Sequence, residues 1–183
     1  MRKTVLTFGL IAGLILSIMM LATLPFMDSI GFDRAEVIGY TTMVAAFLLV
    51  FFGIRAYRDN VAGGSVSFGR AFGVGALIVV VAAVCYVATW QVIYHKVAPD
   101  FVAKWQAYSI EQARASGEGP AAIEKKAAEM QRMAELYRNP LINVAVTFLE
   151  PLPVGLIIAF VSAAVLRRPS RVRSRADKAA VVA

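Results

Sequence analysis

The sequence predicts an all-α integral membrane protein, a four-helix bundle with an extramembrane helical hairpin between spans three and four. Three observations predict it. Four apolar stretches, near residues 5–27, 37–54, 72–94 and 141–166, are each about as long as a bilayer core is thick at ~1.5 Å per helical residue. Backbone polar groups in lipid must be satisfied within their own segment, so such runs are helices. Composition agrees: 59% hydrophobic and 17% charged residues, with mean hydropathy +0.67, against about 25% charge in an ordinary soluble domain. The connection after the third stretch carries two segments of helical periodicity separated by a breaker.

The first stretch follows Arg2 and Lys3 and so resembles a secretory leader. Its apolar run exceeds the ~7 to 15 residues of such a leader, and no small-x-small cleavage site follows, so a retained span is expected. Gly9 and Gly13 in this span, and Gly69 and Gly73 entering the third, are four apart; each pair shares a face and predicts close helix contact. Tyr40, Tyr57, Trp90 and Tyr94 fall near span ends, where aromatic side chains anchor at the membrane interface. Cys85, the single cysteine, lies mid-span and is expected to pack as a small apolar residue.

Orientation follows from basic residues near the span ends. The N-terminus carries Arg2 and Lys3, the second connection Arg55, Arg58 and Arg70, and the end of the chain Arg167, Arg168, Arg171, Arg173, Arg175 and Lys178. Together these are more than half of the 19 basic residues. With four spans they fall on one side, which predicts cytoplasmic termini and an external hairpin. The net charge of +7 is therefore a topology signal directed at anionic lipid head groups, not at nucleic acid. Residues 167–183 are expected to form a basic, disordered cytoplasmic tail.

Within the external region, 99–138, Phe101, Trp105 and Tyr108 recur at spacings of four and three. After Gly117-Glu118-Gly119-Pro120 come Ile123, Ala127, Met130, Ala134 and Tyr137. Two amphipathic helices follow, with Gly117 ending the first, Pro120 opening the second and Asn139-Pro140 closing it. Their apolar stripes are expected to pack on each other, the alternative being that they receive another protein or a lipid.

The chemically distinctive motif is Glu150-Pro151-Leu152-Pro153. Glu150 lies about nine residues, or roughly 14 Å, inside the fourth span, near the bilayer midplane. An ionised carboxylate there is costly by about 2.5 kcal/mol or more, so Glu150 is expected to be buried in the bundle, with a partner or water, or protonated. Pro151 and Pro153 lack N–H donors and free carbonyls beside it. Ser17, Thr41, Thr42, Asn143 and Thr147 are the available polar neighbours. Glu150, Pro151 and Pro153 are thus the intramembrane candidates.

On the cytoplasmic side, Arg55, Arg58, Asp59 and Arg70 frame a second candidate, a loop for lipid phosphate. Asp59 can pair with either neighbouring arginine, Gly63-Gly64 permits a tight turn, and Ser65 or Ser67 can cap span three. The run Phe52-Gly53-Ile54-Arg55-Ala56-Tyr57-Arg58-Asp59, continuing through Gly63-Gly64-Ser65-Val66-Ser67-Phe68-Gly69-Arg70-Ala71-Phe72, resembles the signature of the DUF4199 family of small bacterial membrane proteins of unknown function. The resemblance extends to Tyr94, Pro99-Asp100-Phe101 and Glu150-Pro-x-Pro-Val-Gly155. It implies a bacterial inner-membrane location and supplies no activity.

Catalytic constellations are absent from the sequence: one histidine, His95, no cysteine pair, no metal-ligand spacing and no dinucleotide or phosphate-loop fingerprint. No enzyme, metal or cofactor is expected. The leading expectation is a structural or accessory component acting through protein or lipid contacts. The alternative is a small oligomeric transporter, or a proton- or cation-coupled unit, centred on Glu150. Partners are lipid and either a second copy or another membrane protein.

Overall fold

A computed structural model describes residues 1–167; 168–183, most of the expected basic tail, lie outside the described residues. The elements are α1 (Arg2–Thr23), a 3-10 turn (Leu24–Phe26), α2 (Met27–Ile30), α3 (Phe32–Asn60), α4 (Phe68–Val92) with a terminal π turn (Ile93–Val97), α5 (Phe101–Ala115), α6 (Pro120–Arg138), α7 (Pro140–Leu149) and α8 (Pro151–Leu166). Four helical stretches, Arg2–Phe26, Phe32–Asn60, Phe68–Val97 and Pro140–Leu166, are long and apolar enough to cross a membrane. The second begins five residues before the expected boundary, because its polar first turn extends past the apolar core of the span.

Central in the bundle, α4 packs on α1, α3 and α8, and α3 packs on α1 and α8, so α1 and α8 flank the α3–α4 pair. Phe47, Val50 and Ile54 of α3 meet Val74, Ile78 and Val79 of α4 and Ala159 and Ala163 of α8, all essentially inaccessible. The outward faces, including Leu10, Leu14 and Ile18 of α1, Leu48 and Phe52 of α3, and Ile157, Phe160 and Val165 of α8, are exposed. An apolar belt around an apolar core is the distribution a lipid solvent permits.

Close approach depends on glycine at α1 as predicted. A Cβ on Gly9 would lie 2.7 Å from Val81 Cβ, and one on Gly13 only 2.6 Å from Cys85 Cβ, so α1 seats directly on α4. Gly69 and Gly73 are corrections: nothing lies within 4 Å of a Cβ at either. Their shared face is real, but among the described residues no helix covers it. Gly53, Gly75 and Gly155 make the other close approaches, against Ile78, Ile54 and Val79. A Thr89–Ser17 hydroxyl bond of 2.7 Å adds a polar tie between α4 and α1, which removes Ser17 from the neighbours of Glu150.

The hairpin has the expected helices and turn. Gly117 adopts φ +75° at the end of α5, Pro120 opens α6, and the Asn139 side chain caps α7 by accepting from Leu141 N at 3.0 Å. Its two helices pack on each other as expected, but they also meet the bundle. A Gln106–Met130 bond of 2.8 Å joins α5 to α6, but the aromatic stripe of α5 turns toward the bundle. Phe101 and Tyr108 contact Phe32 with ring centroids 5.7 and 5.1 Å apart, and Phe101 meets Trp90 edge-to-face at 5.0 Å. The hairpin is docked over one end of the bundle by its aromatic residues.

Candidate functional site: a roofed intramembrane cavity

The site originates at the two prolines. Pro151 and Pro153 cannot donate to the carbonyls of Thr147 and Leu149, so the fourth span loses two helical bonds there, one on each side of Leu152. Glu150 keeps helical dihedrals, φ −58° and ψ −53°, as the single turn residue between α7 and α8. Contacts change across the break: α8 packs on α3 and α4, whereas α7 packs on α4 and α6. The part of α3 opposite α7 is left facing a cavity of about 640 Å3.

Its walls come from the hairpin-side ends of α1, α3 and α4, from α7, and from the hairpin above. A polyproline break thus separates a tightly packed half of the bundle from an open half. Glu150 stands at the fork and lines the cavity together with Tyr86. The Tyr86 hydroxyl is directed at the Glu150 carboxyl group, and Glu36 of α3 lies within electrostatic range of it.

The expected burial of Glu150 is therefore corrected: it keeps accessible surface, as does Pro153, while Pro151 is fully buried against the core. The divergence of α7 from α3 supplies open space where a closed bundle had been expected. Asn143 and Thr147 are not partners of Glu150 either. Both are buried on the opposite face, with Asn143 Oδ1 accepting from Gln91 Nε2 at 2.7 Å and the Thr147 hydroxyl donating to Asn143 O at 2.8 Å. The Tyr137 hydroxyl lies 3.2 Å from Thr147 Oγ1, whose one proton is already donated, so Tyr137 donates. Burial raises the Tyr137 phenol above its ordinary value, so that proton is retained at physiological pH. This network fixes α7 to α4 and α6 as one wall. Replacing Asn143 with alanine is expected to leave the Gln91 amide without its partner and to lower stability by about 1–3 kcal/mol, read as a fall in Tm of the purified protein.

Further polar lining includes Asp33, Glu36, Tyr40, Thr42, Tyr108 and Gln112. Gln112 Nε2 donates to Asp33 Oδ2 at 2.9 Å, and hydrogen bonding to Asp33 raises the Tyr108 phenol above its ordinary value. Thr42 satisfies itself on Ile38 O at 2.8 Å, as Thr41 does on Val37 O at 2.7 Å. Met19, Met20, Met27, Met43 and Met133 supply flexible apolar surface. Trp90 and Tyr40, expected as interface anchors, line the cavity, and Tyr57 is buried in the core. Tyr86 carried a signal that position alone offered: it sits mid-span, where a phenol needs a partner, instead of at a span end.

The cytoplasmic candidate is only partly assembled. Arg58 is 8% exposed and holds Asp59 through two of its three guanidinium nitrogens, Nε–Oδ1 at 2.7 Å and Nη2–Oδ2 at 3.2 Å. It is a fixture of the turn, not a free phosphate ligand, because the turn folds back over it: Gly64 N donates to Arg58 O at 2.8 Å, with Gly63 and Gly64 at φ +66° and +84°. Arg55, 3.8 Å from Asp59, and Arg70 remain exposed. Ser67 occupies the cap position of α4 without a side-chain cap bond.

These features define a polytopic α-helical membrane protein with a hairpin-roofed cavity in one half of its bundle. The chain matches the family described as Protein of unknown function (DUF4199) over residues 7–168 and belongs to that family. No curated protein and no solved structure matches it.

Proposed function

We propose that this chain is an accessory membrane protein, without enzymatic activity, that binds an amphiphilic molecule in the roofed cavity. One observation carries the reading: about 640 Å3 of space lined by aromatic and methionine side chains with a few convergent carboxyl and hydroxyl groups. Ligand sites have this size and this ratio of apolar wall to polar anchor, commonly between helices of a bundle. Purified protein should be stabilised by amphiphiles that fill the cavity, with Tm rising by several degrees at saturating ligand, as mass action requires. A panel spanning head-group charges and tail lengths that moves Tm nowhere would contradict the reading.

A second reading is favoured by the place of Glu150, a carboxyl group on a cavity wall within a span: a small transporter or proton- or cation-coupled unit. One four-span bundle makes a thin wall for a pathway, so that reading needs a second copy. A strictly monomeric protein in mild detergent would argue against it.

The basic residues of the N-terminus, of the loop containing Arg55 and Arg70, and of the chain end support a bacterial inner-membrane protein with both termini in the cytoplasm and these residues near anionic head groups. Reporter fusions at Ala183 and at Gly117 should then report opposite sides of the membrane. A cytoplasmic signal from the Gly117 fusion would overturn the orientation.

A further inference from the structure

We infer that the ligand of this cavity is a hydrophobic cation, an alkyl- or aryl-substituted ammonium or its onium equivalent; the inference rests on the cavity reading above and names its ligand class. Among the described residues, three that bear carboxyl groups, Asp33, Glu36 and Glu150, line the space, and no Lys, Arg or His does. Among the described residues, none of the three forms an ion pair. Asp33 is met by Gln112 and Tyr108, and Glu150 by Tyr86, all neutral donors that leave the acids' formal charge uncompensated. Lys104 and Arg114, the basic residues of the overlying α5, are held 3.2 Å from Asp100 and 3.7 Å from Glu111 and lie outside the lining, as does Arg34.

Aromatic rings complete the complementarity. Trp90, Trp105, Tyr40, Phe101 and Tyr86 surround the same space, and a cation within ~6 Å of such a ring face gains attraction that strengthens when water is excluded. Carboxyl groups opposite aromatic faces recognise a positive charge spread over an apolar body. An acidic lipid would bring its phosphate against three carboxyl groups and be repelled. A bare inorganic cation would leave most of a cavity of this volume unfilled.

Tetraphenylphosphonium and tetraphenylborate provide the test, being alike in size and shape and opposite in charge. The full chain in phosphatidylcholine nanodiscs is titrated with each, with binding to protein-free discs subtracted. Saturable binding of the phosphonium and none of the borate is expected. Binding of the phosphonium should weaken at least about tenfold in E150Q and in E36Q, a loss equal to one good charge contact; E36Q, at an exposed position, tests the charge if E150Q fails to fold. Saturable binding of both ions with similar affinity would overturn the cation assignment and leave the cavity reading standing. Binding of neither would overturn both. Phosphonium binding unchanged in both variants would place the site elsewhere and overturn the assignment.

Discussion

Gly155→Leu is expected to prevent stable assembly of the bundle. A Cβ at Gly155 would lie 2.5 and 2.8 Å from the two methyl groups of Val79 and 3.2 Å from the ring of Phe47. Val79 and Phe47 are both fully inaccessible, so neither has space to yield. Overpacking of a closed core costs about 1–3 kcal/mol and at times more, and a leucine adds three further carbons beyond the clashing one. The loss should reach about 3 kcal/mol or more, seen as aggregation on size exclusion or a large fall in Tm. Gly73→Leu is the matched control: nothing lies within 4 Å of a Cβ there, so its stability should stay near that of the parent. Equal stability of the two variants would contradict the packing of α8 on α3 and α4.

Gly39→Phe is expected to do the opposite, abolishing ligand binding while sparing the fold. Gly39 lies in α3 on the cavity wall, and a Cβ there meets nothing within 4 Å. A phenylalanine would project into space that the protein does not fill. Replacing a helix-interior glycine also removes backbone entropy from the unfolded chain, so stability should hold or rise by about 0.5–1 kcal/mol. Stabilisation by any amphiphile should disappear. Persistence of that stabilisation, with the fold intact, would show that ligands bind elsewhere.

The spans and the hairpin helices were legible because they rest on one-dimensional signals. Apolar length marks a span, and Gly117, Pro120 and Asn139-Pro140 punctuate the connection wherever the rest of the chain goes. Glycine spacing was legible only in part. Gly9-Gly13 and Gly69-Gly73 have the same pattern, yet only the first pair is covered by a neighbour, since spacing names a face without naming what lies over it. The cavity was not legible for a related reason: it exists because α7 departs from α3 at Glu150, and no local pattern says which neighbour each half of a broken helix will follow. The motif at 150–153 did mark the break. Its polar partners were misassigned because Asn143 and Thr147, close in sequence, sit on the other face of α7, while Tyr86 comes from another helix. The pairing of Asp59 with a neighbouring arginine was legible, but the burial of Arg58 was not, because it depends on how 61–67 folds back.

The central claim, that the space beneath the hairpin is a binding site, has a built-in reporter. The chain's two tryptophans, Trp90 and Trp105, both line the cavity. Their combined fluorescence can be titrated with a dibrominated alkylammonium amphiphile, whose bromine atoms quench on contact, in the parent and in Gly39→Phe. A saturating component that removes most of the emission in the parent and is missing in the variant is the predicted result. Quenching that rises without saturation, and identically in both proteins, would contradict the account.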